Sequence, residues 1–238
     1  MNVRRFRPLL LALVFGLGSF AGALQIAPSP VAASGAAPAC RYADVLTEHR
    51  AYSEWDISVL DTTYMVPKSY VPPSLVSTAK AGLNAGGAVR SFVITDLTAM
   101  AKAAHNAGAG LRVVSAYRSY TTQQQLYQRE VERYGVKIAK HSVARPGHSE
   151  HQLGVTIDFG SAKTSGDVSQ QFANTAAGHW MKNNAWKYGW IMSYPRGKTS
   201  ETCYYSEPWH FRYVGRELAA KVHASGLTLR QYLWAHYQ

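Results

Sequence analysis

Apolar residues recur at helical spacing in several parts of the chain. The clearest pattern places Leu97, Met100, Ala101 and Ala104 at positions i, i+3, i+4 and i+7, which form one face of an α-helix. Thr95, just before them, is a suitable N-cap. Similar patterns predict helices over residues 74–83, 121–135, 172–187, 216–224 and 229–236.

Shorter stretches have the composition of β-strands. Residues 111–116 are rich in Val, residues 155–159 alternate between apolar and polar, and residues 190–194 and 209–214 are two further candidates. These strands do not alternate strictly with helices, so the pattern favours an α+β fold over a parallel α/β fold. Residues 41–73 are aromatic-rich and irregular, and we expect them to wrap around a single domain formed by residues 41–238.

The N-terminus has the pattern of a secretory signal peptide. Arg4, Arg5 and Arg7 precede an apolar stretch over residues 9–24, and a Pro/Ala/Ser-rich linker follows. A membrane anchor is the alternative, although glycines interrupt an apolar stretch that is already short for a membrane span. Residues 1–40 are therefore predicted to be a signal peptide and linker, and the protein to be secreted or associated with the cell envelope.

Composition and charge narrow the possible partners. The hydrophobic fraction of 47% supports a folded core and argues against disorder. The net charge of +11 includes three signal-peptide arginines, so the remainder carries +8 and suits an anionic partner such as a cell wall. Nucleic acid is not expected, because the basic residues are scattered and no nucleic-acid motif is present.

The two cysteines, Cys40 and Cys203, predict a disulfide if the protein is exported. Lipid attachment at Cys40 is the alternative, because this residue follows the signal region closely. However, Ala37 occupies the position where a lipoprotein signal normally has Leu or a similar residue.

Candidate chemistry is concentrated in two stretches, S-E-H-Q-L-G-V-T-I-D and E-P-W-H. They contain His151, Asp158, Glu207 and His210. Two His and one carboxylate are a usual catalytic zinc set, and a second carboxylate could act as general base. Spacing alone leaves open that these are ordinary polar residues.

Three longer motifs resemble the VanY-type D-alanyl-D-alanine carboxypeptidase family. They are S-A-Y-R-S-Y-x-x-Q at residues 115–123, S-x-x-x-P-G-x-S-E-H-Q-x-G at residues 142–154, and E-P-W-H-x-R-Y-V-G at residues 207–215. The resemblance covers about residues 55–236. The wider group includes VanX-like D,D-dipeptidases and L,D-carboxypeptidases.

The resemblance implies a Hedgehog/D,D-peptidase-like α+β domain with a small central antiparallel sheet. It also implies one Zn²⁺ per chain, held by His151, Asp158 and His210, with Glu207 as catalytic base. In the alternative arrangement Glu207 is the third ligand and Asp158 only orients a histidine. Arg118 matches the arginine that steadies the substrate and its developing oxyanion.

Four further residues are candidate substrate contacts: Ser142, Ser149, Gln125 and Trp209. Core packing is the alternative for Trp209, and solvent exposure is the alternative for Gln125. The chain departs from the family at Thr156, where Ala is common.

The function implied is that of a monomeric, exported zinc peptidase that removes the terminal D-Ala from peptidoglycan stem peptides. An L,D-carboxypeptidase or a peptidoglycan endopeptidase with the same site is the alternative among enzymes. A non-catalytic cell-wall-binding module is the alternative outside enzymes.

Overall fold

The computed structural model describes residues 37–238, so almost all of the predicted signal peptide and linker lies outside the described residues. The helices are α1 (Ile94–Asn106), α2 (Tyr120–Tyr134), α3 (Val136–Ser142), α4 (Ala176–Asn184), α5 (Thr199–Thr202), α6 (Arg216–Ser225) and α7 (Leu229–Tyr237). The strands are β1 (Val45–Leu46), β2 (Tyr64–Met65), β3 (Leu75–Ser77), β4 (Ala88–Arg90), β5 (Leu111–Ser115), β6 (Thr156–Ser161), β7 (Trp190–Met192) and β8 (His210–Tyr213). None of the helices in this part of the chain is long and apolar enough to span a membrane.

A four-stranded antiparallel sheet, in the order β5-β6-β8-β7, lies at the centre of the fold. Every residue of β6 is buried, as expected for a strand that is paired on both sides and packed on both faces. The sheet and its surrounding helices confirm the predicted α+β class.

Side chains alternate between the two faces of the sheet along each strand, and the two faces differ in composition. Ile157, Phe159 and Phe211 belong to the main apolar core. The intervening residues of β6 are polar, and Asp158 lies directly opposite His210 on β8. One face of the sheet is therefore structural, and the other is available for chemistry.

The main core is completed by the helices on either side of the sheet. Leu97, Met100 and Ala104 of α1 are fully buried, which confirms the helical pattern seen in the sequence. Met181 of α4 and Trp190 of β7 belong to the same cluster. Burying one such large side chain contributes about 2 kcal/mol to folding. A second cluster joins α6 and α7 to Val59.

Residues 41–73 run across the body of the protein, with only β1 and β2 as regular structure. The buried Arg212 side chain donates hydrogen bonds to the carbonyls of Trp55 and Ser58. Arg230 of α7 forms a buried ion pair with Asp61, at 2.6 Å between Nε and Oδ2. These contacts fix the segment by its backbone as well as by its side chains.

The structure joins Cys40 and Cys203 in a disulfide, as expected from the cysteine count. The bond connects the start of the described chain to the residue that follows α5. Glu207 lies four residues after Cys203, so the disulfide holds the N-terminal segment against the loop that leads to β8.

Three local predictions are corrected by the structure. Residues 74–83 do not form one helix, because Leu75–Ser77 pair with β4 and only Thr78–Ala81 form a 3-10 turn. Thr95 does not cap α1, because a 3-10 turn over Ser91–Val93 leads directly into the helix. Residues 172–187 are divided among two 3-10 turns and α4, whose N-cap is Thr175.

Thr156, the departure from the family pattern, is fully buried, and its hydroxyl has no hydrogen-bond partner among the described residues. A buried hydroxyl without a partner costs its desolvation energy. We therefore expect Thr156→Val to raise the free energy of unfolding by about 1 kcal/mol, measured by chemical denaturation.

Thr156→Ser is the matched control for this prediction. It keeps the hydroxyl but loses a buried methyl group, so it should destabilise the protein by about 1 kcal/mol. A Val variant that is less stable than the natural protein would contradict the prediction.

Candidate active site

The three predicted ligands converge on the polar face of the sheet. The β6–β8 register brings Asp158 beside His210, with 3.2 Å between Oδ1 and Nδ1. His151 lies on a 3-10 turn just before β6, and its Nε2 is 3.2 Å from Asp158 Oδ2. One donor atom from each of the three residues lies within 4.8 Å of the others.

A glycine makes this convergence possible. Gly154 ends the turn that carries His151 in a left-handed conformation, with φ of 72°. A Cβ at this position would meet Pro72 and Arg90 side-chain carbons at about 3 Å, besides requiring a strained backbone. The chain can therefore reverse between His151 and Asp158 only with glycine here, as the sequence indicated.

Each histidine is oriented by a hydrogen bond from its other ring nitrogen. His151 Nδ1 is 2.6 Å from the carbonyl oxygen of Ala116, which leaves Nε2 facing Asp158. His210 Nε2 is 2.9 Å from Glu150 Oε2, which leaves Nδ1 facing the same point. Contacts of this kind fix the tautomer and the ring orientation of metal-binding histidines.

Glu150 is the buried centre of this arrangement. Besides His210, its carboxylate accepts hydrogen bonds from Ser193 Oγ at 2.6 Å and from Arg212 Nη1 at 3.1 Å. Burial by itself would raise the pKa of Glu150, but the His210 hydrogen bond and the charge of Arg212 outweigh it and lower the pKa to about 2. Glu150 is therefore a permanent anion behind His210.

The donor set fits a divalent metal ion. Asp158 Oδ1 is buried and accepts no hydrogen bond within residues 37–238, although it lies among polar groups. Burial, followed by the charge of Arg118, lowers the pKa of His151 to about 4, so its imidazole is neutral as a ligand must be. Two imidazole nitrogens and a carboxylate are typical zinc ligands.

The electrostatics of the cluster also favour a cation. Burial disfavours the charged form of His210, but the contacts of its ring nitrogens with the Asp158, Glu150 and Glu207 carboxylates outweigh it and raise its pKa well above the ordinary value. Three carboxylates thus surround one imidazole. Such an excess of negative charge is relieved by a proton or by a metal ion.

Glu207 lies beside the three predicted ligands. A turn at Pro208 brings the His210 amide to 3.1 Å from the Glu207 carbonyl, and it places Glu207 Oε2 at 3.3 Å from His210 Nδ1. The side chain is 18% exposed, so it remains accessible from the cavity. Burial raises the pKa of Glu207 above its usual value. A carboxylate of raised pKa suits proton transfer.

Arg118 lies on the loop between β5 and α2 and faces the same cluster. Its Nη2 is 3.3 Å from Asp158 Oδ2, and its Nη1 donates to Gln123 Oε1 at 2.9 Å. The second contact fixes the plane of the guanidinium group. Arg118 therefore presents a rigid, charged donor group at the edge of the predicted metal site.

These residues line one cavity of about 190 Å³. Ser142, Ser149 and Trp209, three of the predicted substrate contacts, also line it. The Ser142 hydroxyl donates to Glu130 at 2.7 Å, which turns that group toward α2.

The prediction for Gln125 is corrected by the structure. Gln125 is exposed and does not line the cavity, whereas Gln123 is fully buried, lines it and contacts Arg118. Two residues along an α-helix correspond to a rotation of about 200°, so these side chains occupy opposite faces of α2. Gln123 is held in place by a second hydrogen bond, to the carbonyl of Ala144.

Comparison with known proteins decides the family. The family described as "VanY: D-alanyl-D-alanine carboxypeptidase" matches residues 87–216, which is more than half of the chain and contains all of the cluster described above. The chain belongs to the VanY family. The resemblance indicated by the three sequence motifs is thus confirmed.

Among curated relatives, this VanY-family chain is 43% identical over 122 residues to the putative carboxypeptidase YodJ of Bacillus subtilis (strain 168). That alignment covers 51% of this chain and 45% of YodJ. The chain spans about half the length of the curated relatives it matches.

Two solved structures share the fold. The LdcB LD-carboxypeptidase is 36% identical with a TM-score of 0.66, over 73% of this chain and 83% of LdcB. The second structure is a mutant of the D,D-pentapeptidase VanY from a VanB-type resistance cassette, in complex with Zn(II). It is 30% identical with a TM-score of 0.63, over 75% of this chain and 99% of that VanY chain. The predicted D,D-peptidase-like fold is therefore confirmed.

Several site residues were not predicted from the sequence. Glu150 and Arg212 both lie inside the motifs, close to His151 and His210, and a charged residue at such a position was the available signal. Tyr194 lines the cavity with its ring 4.7 Å from that of His210, and no motif indicated it.

The role of Glu150 can be tested in this VanY-family chain by metal binding alone. We expect Glu150→Gln to weaken Zn²⁺ binding about 10- to 100-fold. The neutral amide would no longer place a negative charge beside His210 Nε2 or hold the ring in its orientation. Competition with a chromophoric chelator measures the affinity.

Asp96→Asn is the matched control, because Asp96 also accepts a hydrogen bond from an arginine, Arg216, but lies away from the site. It should leave the Zn²⁺ affinity unchanged. A folded Glu150→Gln protein that binds Zn²⁺ as tightly as the natural chain would show that Glu150 does not support the ligand.

Proposed function

We propose that this chain is an exported zinc carboxypeptidase that hydrolyses the terminal D-Ala–D-Ala bond of peptidoglycan stem peptides. The observation that carries the proposal is the cluster of His151, Asp158 and His210 at the base of a cavity, with Glu207 adjacent, in a VanY-family chain. The Zn(II) complex of the related VanY supports zinc as the metal.

The ligands would be His151, Asp158 and His210. When bound there, zinc supplies Lewis-acid activation of a water molecule and of the scissile carbonyl. Glu207 accepts a proton from the water, whose oxygen adds to the carbonyl carbon, and later delivers that proton to the leaving amine nitrogen. The C–N bond breaks, and the products are a shortened peptide carboxylate and free D-Ala.

Arg118 binds the anionic part of the substrate. Its guanidinium is fixed by Gln123 and Asp158, so it needs little reorganisation when the peptide enters. A planar, permanently charged donor matches either the terminal carboxylate of the peptide or the oxyanion that develops on the carbonyl. Both roles place the terminal residue against the same wall of the cavity.

A second candidate activity is that of an L,D-carboxypeptidase. The specific support is the similarity to LdcB, an LD-carboxypeptidase, which exceeds the similarity to VanY in both identity and TM-score. The two activities share metal, base and arginine, and they differ in the residue accepted before the terminal D-Ala.

Export is supported by the signal-peptide pattern and by the Cys40–Cys203 disulfide, because such bonds persist in oxidising compartments. We propose that the protein acts as a monomer near the anionic cell wall, which suits its positive charge.

Mass spectrometry of defined muropeptides tests the activity. The purified, zinc-loaded protein should remove one D-Ala from stems that end in D-Ala–D-Ala. Shortening only of stems that end in an L-residue–D-Ala pair would establish the L,D activity instead, and internal cleavage would indicate an endopeptidase. No shortening of any stem would overturn the proposed enzyme.

Glu207→Gln should separate the base from the ligands. The amide cannot accept the proton, so turnover should fall by about 10²-fold or more while the zinc content stays at the natural level. Rate and zinc content are measured on the same preparation. Loss of zinc would mean that Glu207 is a ligand and that Asp158 has the orienting role.

Arg118→Lys should lower the activity although lysine keeps the positive charge. Lysine lacks the planar pair of donors, so we expect kcat/KM to fall by the equivalent of about 1–3 kcal/mol. Arg216→Lys, which alters an exposed arginine paired with Asp96, is the control and should behave like the natural chain. Kinetics of Arg118→Lys close to natural values would remove this residue from the mechanism.

A further inference from the structure

The corner between α2 and α3 carries a cluster of exposed apolar side chains. Tyr134 is 46% exposed, Val136 59% and Ile138 44%, although they lie within five residues of one another. Gly135, with φ of 77°, ends α2 and begins α3 with no intervening loop. Single exposed apolar residues are normal, but a group of them indicates an interaction surface.

Basic side chains surround this group. Arg129 and Arg133 are one turn apart on the exposed face of α2, and Lys137 lies between the two apolar residues of α3. The Arg133 guanidinium is 5.1 Å from the centroid of the Tyr134 ring. None of these three cations takes part in an ion pair within residues 37–238.

The acidic residues of the same stretch are directed to other partners. Glu130 accepts a hydrogen bond from Ser142 at 2.7 Å, which draws it toward the far end of α3. Glu132 accepts one from Gln128 along α2. Residues 129–138 therefore carry three cations and two carboxylates, a net charge of +1, and within residues 37–238 only the carboxylates have side-chain hydrogen-bond partners.

We propose that the α2–α3 corner, defined as residues 129–138, docks onto the surface of an anionic lipid bilayer. Tyr134, Val136 and Ile138 enter the headgroup region, and Arg129, Arg133 and Lys137 contact anionic headgroups. Apolar area together with basic charge is the combination that interfacial membrane binding requires.

Charge and apolarity together favour a bilayer over other occupants. A second copy of this chain would bring the same three cations close to one another, whereas Glu130 and Glu132 already accept hydrogen bonds within their own copy. An anionic wall polymer would engage the cations but offers no apolar phase for Val136 and Ile138. A bilayer interface satisfies both groups of side chains.

Docking at this corner would orient the cavity. Leu126 of α2 and Ser142 at the end of α3 line it. Six residues of helix separate Val136 from Ser142, about 9 Å at 1.5 Å per residue. The cavity wall would lie close to the bilayer, where stem peptides on membrane-held precursors are within reach. This last consequence rests on the proposed function, whereas the docking itself does not.

Vesicle co-sedimentation of the exported protein tests the proposal. The protein should sediment with vesicles of phosphatidylcholine and phosphatidylglycerol about tenfold more than with phosphatidylcholine alone, and high salt should weaken the binding. Two double variants, Val136→Ser with Ile138→Ser and Arg133→Gln with Lys137→Gln, should each lose most of this binding.

Two matched control variants remove side chains of the same kinds from other parts of the protein surface. Val71→Ser with Val45→Ser removes two other exposed apolar side chains, and Lys102→Gln with Lys182→Gln removes two other exposed charges. Both controls should bind vesicles like the natural protein. All four variants should retain the natural thermal midpoint, because every substituted side chain is exposed.

Three outcomes would overturn the proposal. The first is equal binding of the corner variants and the natural protein. The second is loss with the charge variant alone, which would identify a polyanion surface. The third is a concentration-dependent oligomer abolished by the apolar variant, which would identify a second copy as the occupant. Activity on soluble muropeptides is measured separately, so failure of the proposed function would leave the vesicle result unaffected.

Discussion

The rest of the site depends on the hydrogen bonds that stabilise the buried carboxylate of Glu150. Burying an ionised group is costly unless it is paired and fully hydrogen-bonded. Here His210, Ser193 and Arg212 supply the donors. Arg212, itself fully buried, continues the network to the carbonyl of Trp55. The orientation of His210 and the packing of the N-terminal segment are therefore parts of one network.

The small sheet explains why such a network is needed. With an apolar core on one face, β6 and β8 must place their alternate side chains, including Asp158 and His210, on the other face. A polar face inside a protein requires its own covering layer. Residues 41–73 provide part of that layer, and the Asp61–Arg230 ion pair and the disulfide hold it in position.

Three carboxylates near His210 have different environments and hence different roles. Glu150 is paired with a buried arginine, and its pKa is lowered to about 2. Burial would raise the pKa of Asp158, but His151 and His210 outweigh it and lower that pKa as well. Glu207 lacks a cationic partner of comparable strength, and burial raises its pKa. Environments that separate the pKa values of neighbouring carboxylates are how acid–base roles are assigned.

Four features could be predicted from the amino-acid sequence: the family, the α+β class, the principal helices and strands, and the residues of the His–Asp–His cluster. The class and the principal elements follow from periodicity, which is a local property of the chain. The family and the cluster follow from the resemblance of three motifs, because spacing alone left open that these were ordinary polar residues. The cluster itself was predictable because each of its three residues lies in a short motif with a characteristic order.

The side chains that support this cluster could not be identified before the folded structure was known. Glu150 and Arg212 are 62 residues apart, and Arg212 and Trp55 are 157 apart, so no local pattern relates them. Gln123 rather than Gln125 lines the cavity because its side chain donates to the Ala144 carbonyl, 21 residues away. Residues 75–77 became a strand because a partner strand was available to pair with them. In each case the deciding contact joins segments that meet only after the chain has folded.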